Sequence, residues 1–199
     1  MGGETLNPAG YLVYSGKTHR LEGNPGDVYN YVLAGNGVFI DIRTPMVAAS
    51  VKLAGVKVRG LGDYPEHFSL PQGRLPRDLY ELLWHLVYDF SDREQYLAVT
   101  WEKEDARYML HRPMQQMFPA RVVYETVPGA LLHIHTHPGS IGTHFSPWDD
   151  KDEQGLGVYM VIGDLDSPSP RVKLRVGIYG YRRDVELEEV FNLQSQEPI

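Results

Sequence analysis

The sequence predicts an α+β fold, in which a mixed sheet flanked by helices follows a small β-rich N-terminal module. Short apolar and β-branched runs separated by Gly, Asn and Pro fill residues 10–62, a pattern typical of strands and turns. A segment with helical periodicity follows Pro76, and most later apolar runs have the length of a strand. Several strands with few helices and hairpin-length connections indicate an α+β domain.

Residues 1–62 are predicted to form the β-rich module. The dipeptide Asn36-Gly37 between two apolar runs is its clearest turn signal, because this pair favours two-residue hairpin loops. Residues 63–75 are rich in turn formers and lack apolar periodicity, which predicts a linker. The predicted strands of the module are residues 11–14, 28–33, 38–42 and 51–58.

Residues 76–199 are predicted to form the second domain. Apolar residues recur at helical spacing from Leu79 to Phe90, and Pro76 suits a first helical turn. This pattern predicts an amphipathic helix of roughly four turns that covers one face of a sheet. The predicted strands are residues 96–101, 108–111, 121–126, 130–137, 157–163 and 172–181.

The composition excludes several classes of function. The chain has 199 residues, a formal net charge of −7 and no Lys/Arg cluster, which argues against nucleic acid as a partner. It has no cysteine, so disulfides, cysteine nucleophiles and thiolate metal sites are excluded. No segment has the pattern of a secretion signal or the length of a membrane span, so we expect no membrane partner and a cytoplasmic location.

Four of the eight histidines lie between residues 131 and 153, and three of them alternate along one predicted strand. Side chains at positions i and i+2 of a strand share a face, so His135 and His137 can direct two imidazoles at one point. Pro138 cannot donate a backbone hydrogen bond, so the strand should end there. The two imidazoles are therefore expected at the edge of the sheet, where solvent can reach a ligand.

A helix start follows the histidine strand and supplies a carboxylate. Ser146 suits the N-cap, Pro147 the first helical position and Asp149 the third. Two imidazoles and one carboxylate are a common ligand set of catalytic zinc sites, which keep a fourth position open for water. The sequence therefore predicts Zn²⁺ as the cofactor, bound by His135, His137 and Asp149.

The spacing of these residues resembles a known signature. The string HTHP at 135–138, followed by SPWD at 146–149, is similar to the HxHP…SxxD motif of JAMM (MPN+) zinc metalloproteases, which include deubiquitinating isopeptidases. The resemblance extends over residues 76–182, and with the β-rich leader the whole chain resembles the bacterial JAMM proteins of the PRTRC system. One departure is a loop of seven residues between the two strings where the family usually has six.

The resemblance implies a JAMM/MPN-like fold and a role for each site residue. It implies that Glu94 is the general base that moves a proton from water to the leaving amine, with Glu102 and Glu125 as alternatives. It implies that Ser146 hydrogen-bonds the attacking water or the oxyanion. The expected reaction is hydrolysis of a peptide or isopeptide bond in a protein substrate, at the C-terminus of a ubiquitin-like protein.

Two other functions remain open on the sequence. A non-catalytic MPN-type scaffold would bind a protein partner, and a structural zinc site would need a fourth ligand such as His133 or His144. We expect His133 to pack in the core or behind the metal ligands, and His144 to lie on the surface. The acidic residues of the predicted helix are expected to be solvated, because negative charge is favoured in a first helical turn. These acids are Asp150, Asp152 and Glu153.

Overall fold

The computed structural model describes residues 6–194, and the chain forms two units that divide between Pro71 and Gln72. Each unit contains one six-stranded sheet. The strands of the first unit are β1 (Ala9–Tyr14), β2 (Leu21–Asn24), β3 (Tyr29–Ala34), β4 (Gly37–Arg43), β5 (Ala48–Ala54) and β6 (His67–Ser69). The strands of the second unit are β7 (Tyr96–Glu102), β8 (Arg107–His111), β9 (Gln115–Phe118), β10 (Arg121–Tyr124), β11 (Ala130–Thr136), β12 (Leu156–Gly163), β13 (Arg171–Ile178) and β14 (Tyr181–Val185), and its helices are α1 (Arg77–Tyr88), α2 (Pro147–Asp152) and α3 (Leu187–Val190).

The first unit is a sheet in the order β2-β1-β3-β4-β5-β6, with β1 and β3 parallel and all other neighbours antiparallel. The predicted hairpin joins β3 to β4, and Ala34 pairs with Gly37. Its two loop residues are therefore Gly35 and Asn36, one position earlier than the sequence predicts. The core of this unit contains Leu12, Val32, Ala34, Phe39 and Tyr64.

The predicted linker at residues 63–75 differs from the structure, because residues 63–71 belong to the first unit. Tyr64 is buried there, with its ring against Phe39 and its hydroxyl donating to the buried Asp41 carboxylate at 2.7 Å. β6 then pairs with β5 at the edge of the sheet. A strand of three residues is too short to show a period-two pattern, so the composition of this segment predicts a loop.

The second unit is an α+β domain built on a mixed sheet. Its strand order is β14-β13-β12-β11-β7-β8, in which β11 runs parallel to β12 and antiparallel to β7. α1 packs against β8 and α3 against β13. The short strands β9 and β10 form a separate hairpin. The predicted α+β class with a mixed sheet is therefore confirmed at this level.

The helix predicted after Pro76 is α1, which ends at Tyr88 and spans about three turns rather than four. Its buried residues, Leu79, Leu83 and Val87, follow the four-residue spacing of one helical face. The predicted strand at 172–181 is instead the hairpin β13–β14, which turns at Tyr179 and Gly180. No helix in the part of the chain that the structure describes is long and apolar enough to cross a membrane.

One face of β11 packs into the core of the second unit, and Ile134 on this face is completely buried. We predict that Ile134→Ala lowers the free energy of unfolding of this unit by about 2–5 kcal/mol, because it leaves a cavity among packed side chains. Urea unfolding followed by tryptophan fluorescence measures this change, since all three tryptophans lie in the second unit. Leu82→Ala, at a half-exposed position on α1, is the control and should have a small effect. Equal destabilisation by both substitutions would contradict this account.

Candidate metal centre

β11 lies inside the sheet and fixes the direction of three histidines. His133, His135 and His137 alternate with the buried residues Leu132 and Ile134, so the imidazoles share the opposite face. The backbone of β11 is paired on both sides, with β7 and with β12. The strand ends at Thr136, but the His137 N–H still donates to the Ile162 carbonyl at 2.7 Å. The last imidazole is therefore held just beyond the C-terminal end of β11, as the position of Pro138 predicts, but His137 is buried and not, as expected from the sequence, open to solvent.

α2 begins where the sequence predicts and carries the carboxylate of Asp149. Ser146 is the N-cap, and its hydroxyl oxygen accepts from the Asp149 N–H at 3.3 Å. In return the Ser146 N–H donates to Asp149 Oδ2 at 2.5 Å, which completes a capping box. Oδ1 of the same carboxylate lies 3.3 Å from His135 Nε2. One oxygen of Asp149 thus caps the helix while the other faces the histidines.

The structure brings His135, His137 and Asp149 together, and these are the residues that the sequence predicts as ligands. Each offers one ligand atom, and these atoms all lie within 4.8 Å of one another. His137 Nδ1 lies 2.8 Å from the Gly142 carbonyl, which can only accept, so this nitrogen carries the proton. The lone pair of His137 is then on Nε2, which is the arrangement that fixes a metal-binding histidine. The group could hold a metal ion.

His135 supplies an independent test of this fit. Its Nε2 is buried and makes no hydrogen bond to the described residues, although Asp149 Oδ1 is 3.3 Å away. A buried nitrogen without a hydrogen bond costs free energy that a bound cation would offset. Burial lowers the pKa of His135 to about 4, despite the opposing effect of Asp149. The imidazole is therefore neutral at neutral pH, which is the form that binds a metal.

Glu94 lies two residues before β7, whose first residue, Tyr96, pairs with His135 of β11. Its backbone N–H donates to the Phe118 carbonyl at 2.9 Å. Burial and, to a smaller extent, the negative charge of Asp149 together raise the pKa of Glu94 to about 7. A half-buried carboxylate with a pKa near neutrality can both accept and return a proton. By contrast, Glu102 is exposed at the other end of β7, and Glu125 is exposed beyond β10.

The other two histidines of the segment lie outside the group of three. His133 Nδ1 is 2.7 Å from the Tyr96 hydroxyl, and its ring stacks on Tyr159. His144 is exposed, with its ring centroid 5.4 Å from that of His137. His133 therefore packs behind the candidate ligands, and His144 lies at the rim of the site.

One buried ion pair beside the site was not predicted, and it corrects the expectation for Glu153. Glu153 is not solvated but buried, and it accepts from Arg175 Nε at 2.7 Å. Burial raises its pKa to about 7, while Arg175 opposes this effect. The two residues are 22 positions apart on different elements, so no local pattern in the sequence indicates their contact. Asp150 and Asp152 are exposed, as expected.

Comparison of the chain with models of known protein families gives no match, and comparison with curated proteins finds no significantly similar sequence. The resemblance to JAMM proteases therefore rests on the HTHP and SPWD strings of the sequence. His135 and His137 precede Asp149 by 14 and 12 positions in the sequence, yet one ligand atom of each of the three residues lies within 4.8 Å of the others.

We predict that the purified protein binds close to one zinc ion per chain, as expected for two imidazoles and one carboxylate. His137→Ala and Asp149→Ala should each abolish this binding, because each removes one of three protein ligands. The matched control is His144→Ala, which removes an exposed imidazole beside the group. Mass-spectrometric metal analysis after zinc loading and desalting measures the content. Zinc retained by both ligand variants, or lost from the control alone, would contradict the site.

Proposed function

We propose that this protein is a zinc-dependent peptidase of the JAMM type, which hydrolyses a peptide or isopeptide bond. The observation that carries the proposal is the convergence of His135, His137 and Asp149 at the C-terminal end of β11, with Glu94 just before the paired strand β7. Three protein ligands leave one tetrahedral position open, and an open position distinguishes catalytic from structural zinc sites.

The arrangement of the elements also supports a JAMM/MPN-type domain. His135 lies near the end of the central strand β11, and His137 directly follows that strand. Asp149 lies in the first turn of α2, the next helix along the chain. The base is expected on the segment between α1 and β7, and Glu94 occupies that segment. The loop between the HTHP and SPWD strings accommodates its additional residue while the capping box of α2 is formed.

In this proposal zinc supplies Lewis acidity, which makes water a nucleophile at neutral pH and polarises the scissile carbonyl. Glu94 accepts a proton from the attacking water at its carboxylate and returns it to the leaving amine. In the metal-free protein its pKa is raised to about 7, chiefly by burial, and burial favours return of the proton to the leaving amine.

Ser146 holds the reacting oxygen in this scheme. Its hydroxyl oxygen accepts a hydrogen bond within the capping box, but the hydroxyl hydrogen is still available to donate. The side chain lies at the start of α2, three residues from Asp149, so the donor and the metal ligand share one rigid turn. Such a donor stabilises negative charge as it develops on the substrate oxygen.

The surface around the site supports a protein substrate. Large apolar side chains are exposed on α2, on the loop before it and near the β9–β10 hairpin, which contacts Glu94 through the Phe118 carbonyl. Trp148 is 72% exposed and Met114 is 76% exposed. We propose that these side chains together form an apolar surface for a protein substrate, since contiguous apolar patches mark sites of protein interaction. A ubiquitin-like C-terminus remains the proposed substrate by resemblance to the JAMM family.

A structural zinc site is the weaker candidate. It would need a fourth protein ligand, and the candidates are His133 and His144. The Nδ1 of His133 already lies in a 2.7 Å hydrogen bond with Tyr96, and the ligand group within residues 6–194 has three members. A scaffold without catalysis would equally leave the raised pKa of Glu94 without a role.

We predict that Glu94→Gln keeps zinc and lowers the cleavage rate by about 10²–10⁴-fold, because the amide cannot accept the proton. The assay measures cleavage of a ubiquitin-like protein extended by a linear or isopeptide-linked C-terminal tail. Glu102→Gln is the matched control, since the same change is made at an exposed position away from the ligands. A variant at Glu94 as active as the Glu102 control would rule out this assignment of the base.

We also predict that Ser146→Gly keeps zinc but lowers kcat by about 10²–10³-fold, the usual effect of losing one oxyanion donor. Glycine is tolerated at an N-cap with a loss of only a few tenths of a kcal/mol, so α2 should remain in place. Ser146→Thr retains the hydroxyl and should recover most of the rate. Wild-type kcat in the glycine variant would show that the hydroxyl takes no part in the reaction.

A further inference from the structure

α2 carries Asp149, yet the helix has little to hold it in place. It spans six residues, and none of them is buried. Helices shorter than about 12 residues are marginal in water unless tertiary contacts stabilise them. The capping box stabilises the first turn internally, but it does not attach the helix to the sheet. The position of the carboxylate therefore depends on contacts that α2 makes through its polar side chains.

Two arginines of the sheet supply these contacts. Arg182 of β14 donates from Nη2 to the Asp150 carbonyl at 2.5 Å, and Arg175 makes the larger set. Arg175 lies on β13, in register with Tyr159 of β12, which is itself in register with His133. Its side chain is therefore on the same face of the sheet as the histidines. Arg175 Nη1 lies 2.8 Å from Asp150 Oδ1, and Nε donates to Glu153 Oε2 at 2.7 Å. The guanidinium also covers the ring of Phe145, at 3.7 Å from the ring centroid.

The three contacted residues enclose the third ligand along the chain. Phe145 immediately precedes the N-cap serine, Asp150 immediately follows Asp149, and Glu153 is the C-cap of α2. The Phe145 ring also packs against the ring of His135, with centroids 6.3 Å apart. The Arg175 guanidinium thus contacts α2 at Asp150 and at its C-cap, together with the loop before the helix, whereas Arg182 contacts Asp150.

The chemistry of the pair requires arginine in this role. Arg175 is 7% exposed and Glu153 is 6% exposed, so both charges are largely removed from water. A buried ion pair contributes little net stability compared with apolar residues of similar size, although removing one partner alone is costly. The planar guanidinium can bond two carboxylates and stack on an aromatic ring at once, which the single ammonium of lysine cannot do.

We infer that Arg175 is a positioning residue for the metal site, which holds the Asp149 carboxylate at the distance that zinc binding requires. The inference rests on the proposed function, because it gives the buried ion pair a role only if Asp149 is a ligand. The competing explanation is that the pair stabilises the fold as a whole. The two explanations differ in what they predict for metal affinity at unchanged stability.

The test compares wild type with the double variant Arg175→Met/Glu153→Met, in which both buried charges are replaced by apolar side chains. Zinc affinity is measured by competition with a chromophoric chelator, and stability of the metal-free protein by urea unfolding followed by circular dichroism. We expect the unfolding midpoint to stay close to that of wild type and the zinc dissociation constant to rise about 10–100-fold, the usual effect of losing a partner behind a ligand. Zinc affinity within twofold of wild type would overturn the inference.

Two further variants complete the design. Arg183→Met removes an arginine of β14 that pairs with Glu189 of α3, and should leave zinc affinity unchanged. Arg175→Lys keeps the positive charge but loses the planar guanidinium that bonds two carboxylates. We expect the zinc affinity of this variant to fall while its unfolding midpoint is retained. If the double variant does not fold, the lysine variant decides, and wild-type affinity in it overturns the inference.

A failure of the metal site itself is distinguishable from a failure of the inference. Wild-type protein that binds no zinc would contradict the proposed function. Amide hydrogen exchange across residues 146–153 in metal-free protein then tests directly whether Arg175 holds α2, because Arg175 is expected to protect these amides without any metal. Faster exchange in the double variant than in wild type supports the role of Arg175 in holding α2, and equal exchange overturns it.

Discussion

The pairing of β11 with β7 on one side and β12 on the other fixes the imidazoles of His135 and His137 before any metal is present. Both neighbours hold the backbone of β11, so its side chains can alternate only between a packed core face and the face of the site. Two imidazoles that share a face are therefore close together by construction. The same ladder brings the end of β7, and with it Glu94, next to the ligands.

The third ligand is held by a different kind of interaction. α2 buries no side chain, and Asp149 is placed by the capping box and by the guanidinium groups of Arg175 and Arg182. The site thus combines a rigid strand, fixed by backbone hydrogen bonds, with a short helix fixed by charge. Burial also sets the charge of two groups at the site, because it lowers the pKa of His135 and raises the pKa of Glu94.

The sequence was informative wherever function and structure depend on neighbouring residues. The strand with alternating histidines, its end shortly before Pro138 and the helix start at Ser146 are local patterns, and the structure contains each of them. The edge strands β2 and β6 and the strand β9 are only three or four residues long, so their existence depends on partners rather than on periodicity. The contact between Glu153 and Arg175 joins distant elements, and a glutamate at a helix end has the same local pattern whether it is solvated or buried. Its burial follows from the register of β13, which the sequence does not show.

The most direct test of this account is an anomalous difference map, recorded at the zinc absorption edge from crystals of the zinc-loaded protein. The account predicts one zinc peak bonded to imidazole nitrogens of His135 and His137 and to the carboxylate of Asp149, with the remaining position occupied by solvent. Ligand distances should be about 2.0–2.2 Å, as for nitrogen and oxygen ligands of zinc. A peak at another place in the chain, or a fourth bond from His133 or His144 that closes the site, would contradict it.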